Sequence, residues 1–160
     1  MLPILKRQAD QMSVGAQSGS PPVPPESESQ EPTLSVTVVF TSIRSTLAAL
    51  KAAGVWASRL GAHITLLAPQ VVPYPLPLAH PDVEQRFSEH RFRVLAEESK
   101  VETDVRLLWC RDTLETVLGA LAPHSLVMLG SQRSWLPTSE KRLARQLRRA
   151  GHEVIVTETE

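Results

Sequence analysis

One cysteine, seven glycines and no net charge set the limits of this 160-residue chain. A lone thiol, Cys110, excludes an internal disulfide and suits a reducing compartment. Seventeen basic and seventeen acidic side chains cancel, so bulk charge gives no pull towards nucleic acid. No apolar run approaches the ~18 residues of a membrane span. The opening Met1-Leu2-Pro3-Ile4-Leu5-Lys6-Arg7 is too short for a signal peptide, and its charges follow its apolar residues. The expectation is a cytoplasmic protein with neither nucleic acid nor membrane as partner.

Catalytic patterns are missing as well. His63, His80, His90, His124 and His152 show no ligand spacing, and Ser88-Glu89-His90 is not part of a His-Glu-x-x-His helix. Ser131 lacks the Gly-x-Ser-x-Gly elbow of a hydrolase. Nothing designates Asp104 and Asp112 as an acid/base pair. Cys110 has Arg111 beside it but no Cys-x-x-Cys and no histidine partner, so it reads as a packed thiol. The chain is expected to be neither an enzyme nor a metal protein.

What is present begins with a tail. Residues before Leu34 show no periodicity, and Gly15 to Pro32 is Ser, Gly, Pro, Glu and Gln with almost nothing to bury. Burial there cannot offset ordering entropy, which predicts disorder. Pro21-Pro22-Val23-Pro24-Pro25 leaves a tether or peptide ligand as the alternative.

From Leu34 the pattern alternates. Val36 to Phe40 is the continuous β-branched and aromatic run of a strand covered on both faces. A helix follows from Ser45 to Leu60, with Leu47, Leu50, Gly54, Ala57 and Leu60 on its inner face and Gly61 as C-cap. His63 to Ala68 is a second strand. Five prolines between Pro69 and Pro81 exclude helix or central strand there and predict a stiff crossing loop. Asp82 to Lys100 reads as a charged helix with Val83, Phe87, Val94 and Leu95 turned inward. Asp104 to Cys110 alternates, with Arg106 on one face, as a strand at or near an edge does. Asp112-Thr113-Leu114-Glu115 is a capping box before Leu114, Val117, Leu118 and Leu121.

The stretch that organises the rest is Ser125 to Ser139. It reads as a buried strand, then a turn carrying Gly130 and Ser131, then a helix capped by Thr138 or Ser139. Leu143, Leu147 and Ala150 line that helix, and Glu153 to Thr157 is a last strand. Strands alternating with helices predict a doubly wound α/β sheet of five parallel strands with helices on both faces. A strand-to-helix turn in such a sheet is where phosphates bind. This turn is short and carries a single glycine.

Across Leu34 to Thr157 the chain resembles a universal stress protein domain. The resemblance rests on Thr46, Ala49 and Leu50 after the first strand, on the apolar strand Leu126 to Gly130-Ser131, and on Ser139-Glu140 opening the last helix. It implies a Rossmann-like sheet of order 3-2-1-4-5 and homodimers paired through the last strand, with Val154, Ile155 and Val156 as the edge. In many members it also implies ATP at the switch between strands 1 and 4. An exposed last strand invites pairing on its own account, whereas Glu158 and Glu160 oppose it.

The departures bear on ATP. Nucleotide-binding members have an aspartate just after the first strand; here Thr41 stands there. Their phosphate loop is Gly-x-x-Gly followed by a closing Gly-Ser or Gly-Thr; here only Gly130 remains. Arg133 falls at the second glycine, and Leu136 and Pro137 fall at the closing pair. Leu136 adds a side chain and Pro137 has no N–H, so ATP binding is expected to be weak or lost. The leading reading is a non-enzymatic, universal-stress-protein-like module without a cofactor, acting in a stress response through dimerisation or partner docking. The alternative is a domain that weakly binds ATP, AMP or a small anion through Thr41, Ala68, Gly130, Ser131, Arg133 and Ser139. The basic run Lys141, Arg142, Arg145, Arg148 and Arg149 reads as a solvated face, with an anionic surface as its alternative.

Overall fold

A computed structural model describes residues 34–78 and 85–160. The tail expected before Leu34 and the helix start expected at Asp82 and Val83 lie outside the described residues. The elements are β1 (Ser35–Val39), α1 (Ile43–Leu60), β2 (His63–Val71), α2 (Gln85–Glu97), β3 (Thr103–Cys110), α3 (Thr113–Ala120), β4 (Leu126–Gln132), α4 (Ser139–Arg149) and β5 (Glu153–Thr159). All neighbouring strands are parallel, in the order β3-β2-β1-β4-β5. Right-handed crossovers put α1 and α2 on one face and α3 and α4 on the other. Two cores result. Val36, Val38, Ile64, Leu66 and Met128 face α1 and α2. Val39, Leu67, Val127, Leu129 and Val154 face α3 and α4. No helix among the described residues is long and apolar enough to cross a membrane.

Helix α1 starts where a hydroxyl caps it: Ser42 Oγ accepts from the Ser45 amide at 3.3 Å, and Gly61 ends it at φ +62°. Its inner face is rotated from the expected stripe. Ser45, Thr46, Ala49, Ala53 and Ala57 are buried with Leu50 and Gly54, while Leu60 is 53% exposed. Small side chains let the helix backbone come close, and this outweighs burying one more leucine. A Cβ on Gly54 would lie 2.0 Å from the Ser99 carbonyl oxygen.

Helix α2 also turns differently. Phe92 and Ala96 are buried, Leu95 is half-buried, and Phe87 and Val94, expected inside, are exposed. The anchor is the Phe92 ring, edge-on to Phe40 with centroids 4.8 Å apart. A third difference is in β2, which runs through Pro69 to Val71. β1 ends opposite Leu67, whose carbonyl accepts from the Phe40 amide. Two residues on, the Pro69 nitrogen points to the same side, beyond the end of β1, so its missing N–H breaks no ladder bond. The edge position expected for β3 is found.

On the other face, Asp112 caps α3 by accepting from the Glu115 amide at 2.8 Å, and Thr138 caps α4 by accepting from Lys141 at 3.3 Å. Ala144 and Leu147 are the buried residues of α4; Ala150, expected inside, is exposed at its end. β5 runs two residues past Thr157 because β4 also continues: Ser131 pairs with Glu158 and Gln132 with Thr159.

Candidate functional site

The candidate site follows from one short strand. β1 stops at Val39, opposite Leu67 and Leu129. β2 continues to Val71 and β4 to Gln132, which leaves a crevice over the C-terminal end of β1. This is the point where the strand order reverses, the usual ligand position in an open α/β sheet. A hollow of about 640 Å³ lies there, between the starts of α3 and α4. Its walls are apolar: Phe40, Pro69, Leu114, Pro137 and Leu143. Thr41, Thr113, Ser139 and Gln146 add neutral polar groups, and Glu140 and Arg142 add one charge of each sign.

Of the six residues expected to bind a nucleotide or anion, Thr41 and Ser139 border this hollow. Both polar groups of Thr41 have partners within the fold. Its amide donates to Thr46 Oγ1 at 3.1 Å, and its hydroxyl donates to the Gly130 carbonyl at 3.1 Å. Ala68 is fully buried in the core under α1 and α2, on the opposite side of the sheet.

Gly130 and Ser131 do not form the expected turn. Both lie in β4, Gly130 opposite Thr157 and Ser131 opposite Glu158. Gly130 is required by packing: a Cβ there would lie 1.8 Å from the Ser45 carbonyl oxygen at the start of α1. The Ser131 hydroxyl is buried and contacts the Gln132 carbonyl at 3.2 Å and Thr138 Oγ1 at 3.3 Å. Arg133 follows the strand, and its amide donates to the Thr159 carbonyl at 2.8 Å.

The connection from β4 to α4 engages much of its backbone internally. The Leu136 amide donates to Ser134 Oγ at 3.1 Å, and Pro137 has no N–H. The Lys141 and Arg142 amides donate to the side chain and carbonyl of Thr138. Lys141 Nζ reaches back to the Ser134 carbonyl at 2.7 Å and lies 3.3 Å from Glu158. The loop is thus tied down at both ends.

The rest of the basic helix is uneven. Arg148 donates to the Val154 carbonyl at 2.8 Å. Arg142, Arg145 and Arg149 have no carboxylate within ion-pair distance among the described residues. At the β5 edge, Val154 is buried towards α3 and α4, and Ile155 packs towards α1. The edge therefore offers backbone more than side chains. The outward carbonyl of Val154 is the one Arg148 covers.

Thr113, Leu114, Glu140, Arg142, Leu143 and Gln146 were not read from the sequence as site residues. The signal was available. Two successive crossovers in the same direction, β3 to β4 and β4 to β5, must set α3 and α4 side by side on one face.

The sequence matches no protein-family model and no curated protein sequence. Solved structures do match. A universal stress protein in complex with cAMP superposes with a TM-score of 0.56 at 16% identity, covering 80% of this chain and 98% of that one. UspA from Lactobacillus plantarum gives 0.55 at 18% identity, covering 77% and 96%. A universal stress protein family member from Burkholderia pseudomallei gives 0.53 at 20% identity, covering 77% and 94%. The domain is therefore universal-stress-protein-like in fold, with the strand order that the resemblance implied.

Proposed function

We propose that this chain is a non-enzymatic, universal-stress-protein-like module that does not hold ATP and acts in a stress response through self-association or partner docking. The observation that carries the reading is the β4–α4 connection. A triphosphate needs several backbone amides converging on it at once. Here the Arg133, Leu136, Lys141 and Arg142 amides have partners inside the fold, and Pro137 has none to give. The hollow beside Thr41 carries one positive and one negative side chain, so its formal charge is +1 − 1 = 0. That balance does not attract three or four negative charges.

Self-association would use β5. Its outer side has open backbone at Val156 and Glu158, and a second copy can pair there about a two-fold axis. Arg148 competes at Val154 and sets where pairing begins.

A second reading is supported by the size of the hollow: a nucleotide or small anion seated beside Thr41 and Ser139. One solved structure of this fold is of a complex with cAMP. Calorimetric titration with ATP, ADP, AMP and cAMP, with and without magnesium, separates the two. Silence with all four supports the first reading. Saturable micromolar binding of any one supports the second.

A further inference from the structure

We infer that the hollow between α3 and α4 is a site for a small molecule with an apolar body and a single carboxylate. The inference rests on the reading that the cleft does not take a triphosphate, and goes beyond it by naming what the cleft suits instead.

The shape comes first. About 640 Å³ falls within the range of small-molecule sites, roughly 300–1,000 Å³. The hollow exists because β1 is shorter than both its neighbours, and because α3 and α4 start on either side of the gap.

The chemistry comes second. Phe40, Pro69, Leu114 and Leu143 form walls from three directions: the ends of β1 and β2, then α3, then α4. Such walls favour an apolar body by removing its surface from water. Arg142 is the cation at the hollow, and no carboxylate of the described residues pairs with it. Its planar guanidinium matches one carboxylate in bidentate geometry. Glu140 stands on the same wall and opposes a second negative charge on the ligand. An apolar body carrying one carboxylate satisfies all three conditions. A polyphosphate fails the last, and a neutral apolar molecule leaves Arg142 unused.

The test uses 2-naphthoate as probe, its neutral analogue 2-naphthalenemethanol as control, and amide NMR of the full ¹⁵N-labelled chain. Naphthoate should produce saturable shifts confined to the hollow, at Phe40, Thr41, Leu114 and Leu143. It should bind about tenfold more tightly than the alcohol. Arg142→Gln, a change at an exposed side chain, should erase that preference and leave alcohol binding in place. Leu114→Trp should fill the hollow and weaken both probes. Non-saturable or scattered shifts, or a preference that survives Arg142→Gln, would overturn the inference. So would cAMP occupying the same residues more tightly than naphthoate, which makes the hollow a nucleotide site. ATP binding at the β4–α4 connection without displacing naphthoate would contradict the reading of that connection and leave this inference standing.

Discussion

The Thr41 hydroxyl donates to the Gly130 carbonyl across 3.1 Å, tying the end of β1 to β4 at the point where the strand order reverses. Where nucleotide-binding proteins of this fold are expected to carry an aspartate, this chain has a donor turned on its own backbone. Thr41→Asp replaces the donor by a carboxylate facing a carbonyl oxygen. It should lower stability by about 1–3 kcal/mol and should not confer ATP binding. Chemical denaturation followed by an ATP titration of the same variant reads both outcomes.

Gly130 should tolerate no side chain. An added methyl meets the Ser45 carbonyl oxygen at 1.8 Å, and that atom belongs to helix backbone that cannot step aside alone. Gly130→Ala should cost about 3 kcal/mol or more. Gly119→Ala is the control: nothing lies within 4 Å of its added Cβ, and it sits inside α3. That change should be neutral or stabilising by up to about 1 kcal/mol. Thermal melts of the two variants side by side should differ in sign or leave Gly119→Ala unchanged.

His152 holds the α3–β4 junction. It is buried, and its Nδ1 accepts from the Ser125 amide at 3.2 Å, while the Glu153 amide donates to the Ser125 carbonyl at 3.0 Å. His152→Ala leaves the Ser125 amide without that partner and should cost about 1–3 kcal/mol. His152→Asn offers an oxygen in a similar place and should recover part of the loss. Equal stability of the two variants would show that the hydrogen bond contributes nothing.

Arg148 should restrain self-association through β5. Its guanidinium covers the outward Val154 carbonyl, which a pairing strand would otherwise use. Arg148→Ala should raise the dimer fraction at a given concentration, and Val156→Pro, which removes an outward N–H, should lower it. Sedimentation velocity over a concentration series distinguishes these outcomes from a β5 edge that plays no part.

Most of the architecture was legible because parallel strands buried on both faces carry few polar side chains: Val36 to Phe40 is β-branched or aromatic at every position, and Leu126 to Leu129 is apolar throughout. Caps at Asp112 and Thr138 were legible for the same local reason: short polar side chains precede helical periodicity. The inner faces of α1 and α2 were not. Phe87, Phe92, Val94 and Leu95 all offer apolar surface, and the choice of Phe92 depends on Phe40, distant in sequence. Gly130 was legible as a special position but not as this one. A glycine that admits a neighbouring helix and a glycine that admits a phosphate look alike in sequence. The hollow's place was implied by the crossovers that set α3 and α4 side by side, but its wall residues Leu114 and Leu143, at helical spacing, read only as core.

We propose that the β4–α4 connection does not cradle a triphosphate. Thermal unfolding of the full chain with and without about 5 mM magnesium-ATP tests it, since a ligand that binds only the native state raises stability by RT ln(1 + [L]/Kd). Coincident melting curves are the expected result. Micromolar affinity would add about 4 kcal/mol or more at that concentration and move the curve upward by several degrees, and that result would contradict the proposal.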